Sequence, residues 1–174
     1  LMVTMDEDGT PLAFVAPTVD ATDVEGDTIT WSLAVAASNG TAEVSGDGAS
    51  PSTLAYVPGA DFSGADSFTL EASDGELSSQ IEVEVEVTAR NDGPVLALNA
   101  GAVVDEGGSV AVDAGMLETT DVDDTAAALT YTVTTAPENG LLALVSAPET
   151  AVTTFTQADL NAAQLTYSHN GGET

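Results

Sequence analysis

The sequence has no cysteine and almost no basic residues. Its 174 residues include one Lys or Arg against 29 Asp and Glu, which gives a formal net charge of −28. Without cysteine there are no disulfides and no thiolate metal sites. Arg90 alone cannot neutralise the carboxylates, so their repulsion must be screened by salt or relieved by bound cations. Nucleic acid and anionic membrane surfaces are poor partners, since both recognise Lys and Arg.

Aromatic residues and long apolar runs are also scarce. Only 5% of the residues are aromatic, whereas 43% are hydrophobic, so a packed core must be built mainly from aliphatic side chains. No apolar run approaches the roughly 18 residues of a membrane span, and the acidic start "LMVTMDEDGT" is unlike a signal peptide. We therefore predict no direct membrane insertion.

What the sequence does have is alternation with a period of two. In "IEVEVEV", Ile81, Val83, Val85 and Val87 alternate with glutamates. Similar alternation in "TITWSL", "SFTLEA", "LTYTV" and "QLTY" predicts strands with one face in a core and one in water, and places Trp31 in the core. Asn-Gly, Pro-Gly, Asp-Gly and Gly-Gly steps separate these strands. This spacing predicts an all-β fold of antiparallel β-sandwiches.

One helical turn is expected within this β pattern. Thr156-Gln157-Ala158-Asp159 has the spacing of a capping box, with Asp159 in the position usually held by Glu or Gln, and "ADLNAAQL" follows. We predict a single helical turn between two strands.

The chain repeats itself at an offset near one hundred residues. "DEDG" recurs as "DEG", "TDVE" as "TDVD", "ITW" as "LTY", and Asn39-Gly40 as Asn139-Gly140. Such repetition indicates two tandem copies of one β module, residues 1–93 and 94–174, joined at "ARNDGP". The counterparts of "SFTLEASDG" and "IEVEVEV" do not follow the second "NGG", so the second module is expected to be truncated.

The two copies carry the motifs of known repeat families. "DEDGTPL", "DATDVEGDTITWSL" and "YVPGADFSGADSFTLEASDG" resemble the bacterial cadherin-like tandem repeats of large surface adhesins. "VDEGGSV", "LTYTVTTAPENGLL" and "FTQADLNAAQLTYSHNGGE" resemble the chondroitin-sulphate-proteoglycan-type cadherin-like repeat. The resemblance implies two tandem Greek-key, cadherin- or immunoglobulin-like β-sandwiches in an extracellular protein, and names no ligand by itself.

Cadherin-type repeats hold calcium at the junctions between repeats, and the resemblance implies the same here. Carried onto this sequence, the junction ligands are Glu7, Asp61, Asn91, Asp92, Asp121 and Asp123. The matching set at the outer end of the first repeat is Asp23, Glu25 and Asp74. The residue chemistry agrees, because Ca²⁺ takes six to eight oxygen ligands from carboxylates, amide or backbone carbonyls and water. The alternative is that these acidic runs are solvated turns.

The remaining polar features have simpler interpretations. The three glutamates of "IEVEVEV" are interpreted as a soluble face that discourages edge pairing. His169 is the only histidine, so a transition-metal site is not expected, and it is interpreted as a strand-end surface residue. Asn39-Gly40-Thr41 fits a glycosylation sequon, but the Asn-Gly step is better explained as a tight hairpin turn.

We predict a non-enzymatic, calcium-stiffened spacer from a secreted or cell-surface bacterial adhesin. No G-x-S-x-G elbow is present, and acids at repeated turn positions favour structure over a carboxylate-pair glycosidase. Expected partners are neighbouring repeats of the same chain, with a cell-surface protein or carbohydrate as a further candidate. The alternatives are a carbohydrate- or protein-binding module and an accessory domain of a large extracellular enzyme.

Overall fold

The computed structural model describes residues 1–10 and 12–172. Pro11 and Glu173, which belong to two of the quoted motifs, and Thr174 lie outside the described residues. The chain divides into two compact units, Leu1–Arg90 (unit 1) and Asn91–Thr174 (unit 2). The boundary drawn from the sequence between residues 93 and 94 stays a prediction. No helix in the described ranges has the length and apolar character needed to cross a membrane.

The described residues of unit 1 form six strands. They are β1 (Met2–Asp6), β2 (Thr30–Val35), β3 (Gly40–Asp47), β4 (Thr53–Pro58), β5 (Gly64–Ser73) and β6 (Ser78–Thr88), in the sheet order β1-β6-β5-β2-β3-β4. β1 runs parallel to β6, whereas the other neighbours are antiparallel. β2 pairs with β3 only through Thr30 and Trp31, so the β3–β4 hairpin is free to leave the plane of β1, β6, β5 and β2.

The core of unit 1 lies between this four-strand layer and the β3–β4 hairpin. Tyr56 of β4 stacks on Phe68 of β5 with ring centroids 5.9 Å apart, although the two strands are not neighbours in the sheet. The layers therefore face one another as in a sandwich. The other buried apolar residues of this core are Val3, Met5, Val19, Ile29, Trp31, Ala42, Leu70, Val83, Val85 and Val87. Burial of this aliphatic and aromatic surface is the main stabilising contribution.

The period-two prediction is confirmed for most of these strands. Trp31 is buried, as are Val83, Val85 and Val87. Ile81, in the same register, is instead exposed, because it lies towards the end of β6 that precedes the buried stretch. The glutamates between these valines are exposed as predicted, but β6 pairs with both β1 and β5. The proposed protection of a sheet edge is therefore wrong, since β6 is an interior strand.

The Asn39-Gly40 step was expected to form a tight hairpin turn, and the structure shows another role. β2 ends at Val35 and β3 begins at Gly40, so four residues connect them. Gly40 has a negative φ, which a type I′ turn does not allow at its second central residue. A Cβ at Gly40 would lie 2.6 Å from the Tyr56 ring. Glycine is needed because this aromatic ring covers the backbone.

Unit 2, as far as residue 172, is built from shorter strands and one helix. The elements are β7 (Val95–Asn99), β8 (Ser109–Val112), β9 (Leu117–Thr120), β10 (Thr130–Thr132), β11 (Gly140–Leu144), β12 (Thr154–Thr156), α1 (Gln157–Asn161) and β13 (Leu165–His169). The sheets within the described range are β11-β13-β8, β10-β12 and β7-β9, all antiparallel. Gly140 repeats the role of Gly40, because its Cβ would lie 2.5 Å from the Tyr167 ring.

The core of unit 2 is small and centres on the helical turn. Leu160 of α1 and Leu165 of β13 are fully buried, and Phe155 of β12 stacks on Tyr131 with ring centroids 4.9 Å apart. α1 begins after Thr156, whose hydroxyl accepts the Asp159 N–H while the Asp159 carboxylate accepts the Thr156 N–H. The predicted capping box and helical turn are confirmed. The predicted all-β fold with almost no helix is also confirmed.

Candidate metal centre

The predicted D-x-D turn of unit 2 is held by one carboxylate. Asp121 Oδ1 accepts the backbone N–H groups of Asp123 and Asp124, each at 2.9 Å. Aspartate favours this local turn because its short side chain reaches the backbone two and three residues ahead. Asp121 Oδ2 is buried, and it has no hydrogen-bond partner among the described residues. One oxygen of Asp121 therefore builds the turn and the other is left for a different partner.

The segment that begins unit 2 contacts the same turn. The backbone N–H of Asp92 donates to Asp123 Oδ2 at 2.6 Å. The side-chain amide of Asn91 donates to the carbonyl of Asp92, so the Asn91 Oδ1 atom points away from that bond. Four of the predicted calcium ligands thus lie in two segments of unit 2 that a hydrogen bond joins, Asn91 and Asp92 in one and Asp121 and Asp123 in the other.

In unit 1, the predicted ligand Glu7 is hydrogen-bonded to Arg90, the single arginine of the chain. Glu7 is buried and one of its carboxylate oxygens accepts the backbone N–H of Arg90. The Arg90 guanidinium contacts both oxygens of Asp6, at 2.8 and 2.9 Å, and the N–H of Leu12 donates to the same carboxylate at 2.9 Å. The hydrogen bond from Arg90 is the main reason that the pKa of Asp6 is lowered. Sequence analysis did not single out Asp6, although the one arginine of so acidic a chain is expected to pair with a carboxylate.

The outer set of predicted ligands is only partly brought together. Asp23 and Asp74 line one cleft of about 220 Å³ in unit 1, whereas Glu25 is exposed and does not line it. Asp23 accepts the N–H of Asp27 at 2.8 Å. Asp74 accepts two N–H groups in the β5–β6 turn, at 2.7 Å each, and these bonds lower its pKa. Asp61 is exposed, with a left-handed φ of 57°.

As a whole, the acids do not form a complete metal cage. Within residues 1–10 and 12–172, no three or more His, Cys, Asp or Glu side chains are arranged as a metal site. The donor atoms are nevertheless all hard oxygens, which suits Ca²⁺ and Mg²⁺ and disfavours zinc or copper. The buried Oδ2 of Asp121 is the feature that fits a cation.

A buried acid that the sequence analysis did not single out organises unit 1. Asp66 of β5 accepts N–H groups from Ser38, Asn39 and Ser67 and the Tyr56 hydroxyl, at 2.9–3.0 Å. Burial alone would raise the pKa of Asp66, but these donors outweigh it and lower the pKa. Burial, together with the neighbouring Asp66 carboxylate, raises the pKa of Tyr56. Each carboxylate oxygen of Asp66 accepts two hydrogen bonds from residues of unit 1, so Asp66 stabilises the fold rather than binding a ligand.

Unit 1 also has an apolar groove of about 690 Å³. One wall is the irregular segment that contains Phe14, and the other is β4 with the loop that follows it. Phe14 packs on Tyr56 with ring centroids 6.1 Å apart. Glu7 and Asp8 lie at the groove, so its lining combines apolar side chains with negative charge.

Comparison with known families assigns the first unit. Residues 2–88, half of the chain, match the family described as bacterial Ig domain. The chain belongs to the bacterial Ig domain family. Residues 94–174 match a second family, described as Cadherin-like. The predicted resemblance to such repeat families is thereby confirmed, with the first repeat assigned under the Ig description. Two tandem Ig/cadherin-like domains account for the two β units.

Individual relatives resemble about three fifths of the chain. Human "Chondroitin sulfate proteoglycan 4" is 37% identical over 110 residues, which is 61% of this chain and 5% of the relative. Mouse "Extracellular matrix organizing protein FRAS1" is 31% identical over 111 residues, 63% of this chain and 3% of the relative. "Extracellular matrix protein 3" of Lytechinus variegatus is 32% identical over 116 residues, 62% of this chain and 4% of the relative. The chain therefore corresponds to a small part of very long proteins.

Among solved structures, the extracellular cadherin domains 1–5 of protocadherin gamma B2 align with 99% of this chain and 31% of their own. The sequence identity is 14% and the TM-score is 0.39. This likeness is too distant to add to the assignment.

Proposed function

We propose that this chain is a non-enzymatic spacer or adhesion module of an extracellular protein, and that unit 2 binds Ca²⁺. The family matches are to repeat domains, and the relatives include proteins whose names place them in the extracellular matrix. The acids at the repeated turns support the fold, as Asp121 and Asp74 do, which favours a structural role over catalysis. A bacterial source and cell-surface location remain predictions from the sequence.

The calcium proposal depends on one observation, the buried and unpartnered Oδ2 of Asp121. A buried polar atom without a partner costs about 1–3 kcal/mol, and more when it is charged. A cation would remove that cost and would also reduce the repulsion in a chain of net charge −28. Asp121, Asp123, Asn91 and Asp92 are the residues that would hold the ion, with water completing the oxygen shell.

The expected affinity is that of extracellular calcium modules. These bind with dissociation constants of about 10⁻⁴–10⁻³ M. At millimolar Ca²⁺, one such site stabilises the folded state by about 0.4–1.4 kcal/mol, because the ion binds only the native form. Participation of Glu7 and Asp61, a second site at Asp23, Glu25 and Asp74, and calcium stiffening of the repeat boundary stay predictions.

Calorimetric titration of the whole chain with Ca²⁺ tests the proposal. Asp121→Asn and Asp92→Asn should each weaken binding, and the double variant should lose less than the sum, because both residues act on one ion. Glu84→Gln removes a charge from the exposed face of β6 and should leave the affinity nearly unchanged. Equal thermal stabilisation by Ca²⁺ and by sodium at the same ionic strength would attribute the effect to screening and refute coordination.

The apolar groove of unit 1 favours a second candidate function, recognition of a protein or carbohydrate. Its volume is within the range of ligand-binding clefts, and it combines Phe14 with acidic residues at its rim. Nuclear magnetic resonance titration with a panel of neutral oligosaccharides and short basic peptides would test it. Shifts confined to residues such as Ala13, Ala16 and Val57 support the groove, and a panel without shifts refutes it.

A further inference from the structure

The single histidine contacts a backbone nitrogen that follows an asparagine. His169, the last residue of β13, accepts two N–H groups at Nδ1, one from Gly107 and one from Gly171, each at 3.1 Å. Because Nδ1 is the acceptor, the neutral ring carries its proton on Nε2. The Gly107 N–H fixes the ring orientation, and the Gly171 N–H belongs to the Asn170-Gly171 peptide bond.

The side chain of Asn170 is held from the other direction. Its Oδ1 accepts the N–H of Gly172 at 2.9 Å. A donor on this oxygen polarises the side-chain carbonyl and stabilises negative charge that develops there, as donors in an oxyanion hole do. One turn thus combines an electrophilic carbon, the Asn170 Cγ atom, with an acceptor on the neighbouring Gly171 nitrogen.

We propose that Asn170 is a site of self-catalysed deamidation, with His169 as the general base. The Gly171 nitrogen gives its proton to His169 Nδ1 and attacks Asn170 Cγ. A new C–N bond forms and the Cγ–Nδ2 bond breaks, and Nδ2 leaves as ammonia with the proton that His169 received. Water then opens the cyclic imide at either carbonyl, which leaves an aspartyl or isoaspartyl residue at position 170. The sum is one amide and one water converted to one carboxylic acid and one ammonia.

The chain contains two further Asn-Gly steps that serve as internal controls. Gly40 and Gly140 are the first residues of β3 and β11, and each is covered by a tyrosine ring. Gly171 belongs to no strand, and its φ of 76° marks a turn. Asn139 is also held by its carbonyl, which accepts the N–H of Asn170. His169 is the cross-strand partner of Gly140, but its Nδ1 accepts the N–H groups of Gly107 and Gly171 and not that of Gly140 or Gly40.

The charged groups near His169 come from two neighbouring elements. Asp105 and Glu106 lie on the turn whose Gly107 donates to the ring, and Glu138 lies two residues before Gly140, the β11 partner of His169. On its own side, Glu173 follows in the sequence and lies outside the described residues. Measurements at constant high salt keep these carboxylates from shaping the pH dependence.

Peptide mapping by mass spectrometry of the whole chain, incubated at neutral pH, tests the proposal. Conversion at Asn170 should be at least about tenfold faster than at Asn39 or Asn139, a modest share of what a positioned base contributes. His169→Gln keeps an oxygen that can accept a hydrogen bond but removes the base. It should slow conversion at Asn170 to the rate at Asn39, and leave Asn39, which lies in unit 1, unchanged.

The pH dependence gives a second readout that needs no variant. A side-chain base acts only in its neutral form, so the rate at Asn170 should reach a plateau as the pH rises. The hydroxide-driven rate at Asn139 should continue to rise over the same interval. Equal rates at the three Asn-Gly steps, an unchanged rate in His169→Gln, or parallel pH profiles at Asn170 and Asn139 would each overturn the proposal.

Discussion

Replacing Asp66 by Asn should destabilise unit 1 more than any change at its surface. Asp66 Oδ1 accepts the N–H groups of Ser38 and Ser67, and Oδ2 accepts the Asn39 N–H and the Tyr56 hydroxyl. Asparagine keeps the shape but offers one acceptor oxygen and one amide donor. In the place of Oδ1 the NH₂ group faces two N–H donors, and in the place of Oδ2 it faces the Asn39 N–H and the Tyr56 hydroxyl, of which only the hydroxyl can turn to accept.

The size of the loss follows from these contacts. Hydrogen bonds to a charged partner contribute about 1.5–3 kcal/mol each, and Asp66→Asn removes at least one of them and leaves the others with a neutral partner, for which each bond contributes about 0.5–1.5 kcal/mol. Asp66 is only 8% exposed, so water cannot readily replace the lost acceptor. We expect the free energy of unfolding of unit 1 to fall by about 3–6 kcal/mol, a large part of the 5–15 kcal/mol typical of a domain.

Urea unfolding followed by tryptophan fluorescence measures this loss in unit 1 alone. Trp31 is the only tryptophan and is buried in the unit 1 core. Asp47→Asn is the matched control, because Asp47 is exposed and accepts one bond from the Thr30 hydroxyl, so its effect should stay within about 0.5 kcal/mol. A loss below about 1 kcal/mol in Asp66→Asn would refute the assigned role of this carboxylate.

Three further results are expected from the same assays. Folding lowers the pKa of Asp66, so the contribution of its carboxylate to the free energy of unfolding is complete above about pH 4, the pKa in the unfolded chain. This contribution is lost as the pH falls through the folded-state pKa. The urea midpoints of wild type and Asp66→Asn should therefore converge in acid. Gly40→Ala should cost about 1–3 kcal/mol because its Cβ meets the Tyr56 ring, whereas Gly93→Ala, which meets nothing within 4 Å, should be nearly neutral. Leu160→Ala should cost unit 2 about 2–5 kcal/mol by circular dichroism without moving the Trp31 transition, and a shift in that transition would contradict independent unfolding of the units.

Local pattern was enough to predict the strands and the helical turn, because these depend on residues close in sequence. The valines of β6 alternate with glutamates, and the capping box of α1 spans four residues. The role of Gly40 was not predictable in the same way, because it is set by a tyrosine on another strand. Ile81 fits the pattern but lies beyond the residues of β6 that meet the core.

The candidate site was only partly accessible from sequence. The turn at Asp121 and Asp123 could be recognised by its D-x-D spacing, and the structure shows the backbone bonds that form it. Asp66 was overlooked because its partners lie up to 28 residues away. One signal was present, since Asp66 occupies the inward register of Phe68 and Leu70, where an acid is buried only if it is well paired. Asp6 could have been found by asking which acid pairs with Arg90.

The pairing of the first and last strands of unit 1 determines how this unit carries tension. β1 runs parallel to β6, with Met2 beside Glu84 and Asp6 beside Thr88. A pull on the two ends of the unit draws these strands past each other along their length. The evenly spaced bonds of a parallel pair then bear the load together, in shear, rather than opening one after another as in a zipper. The Asp6–Arg90 ion pair lies where the chain leaves β6, so it would bear the load alongside these bonds.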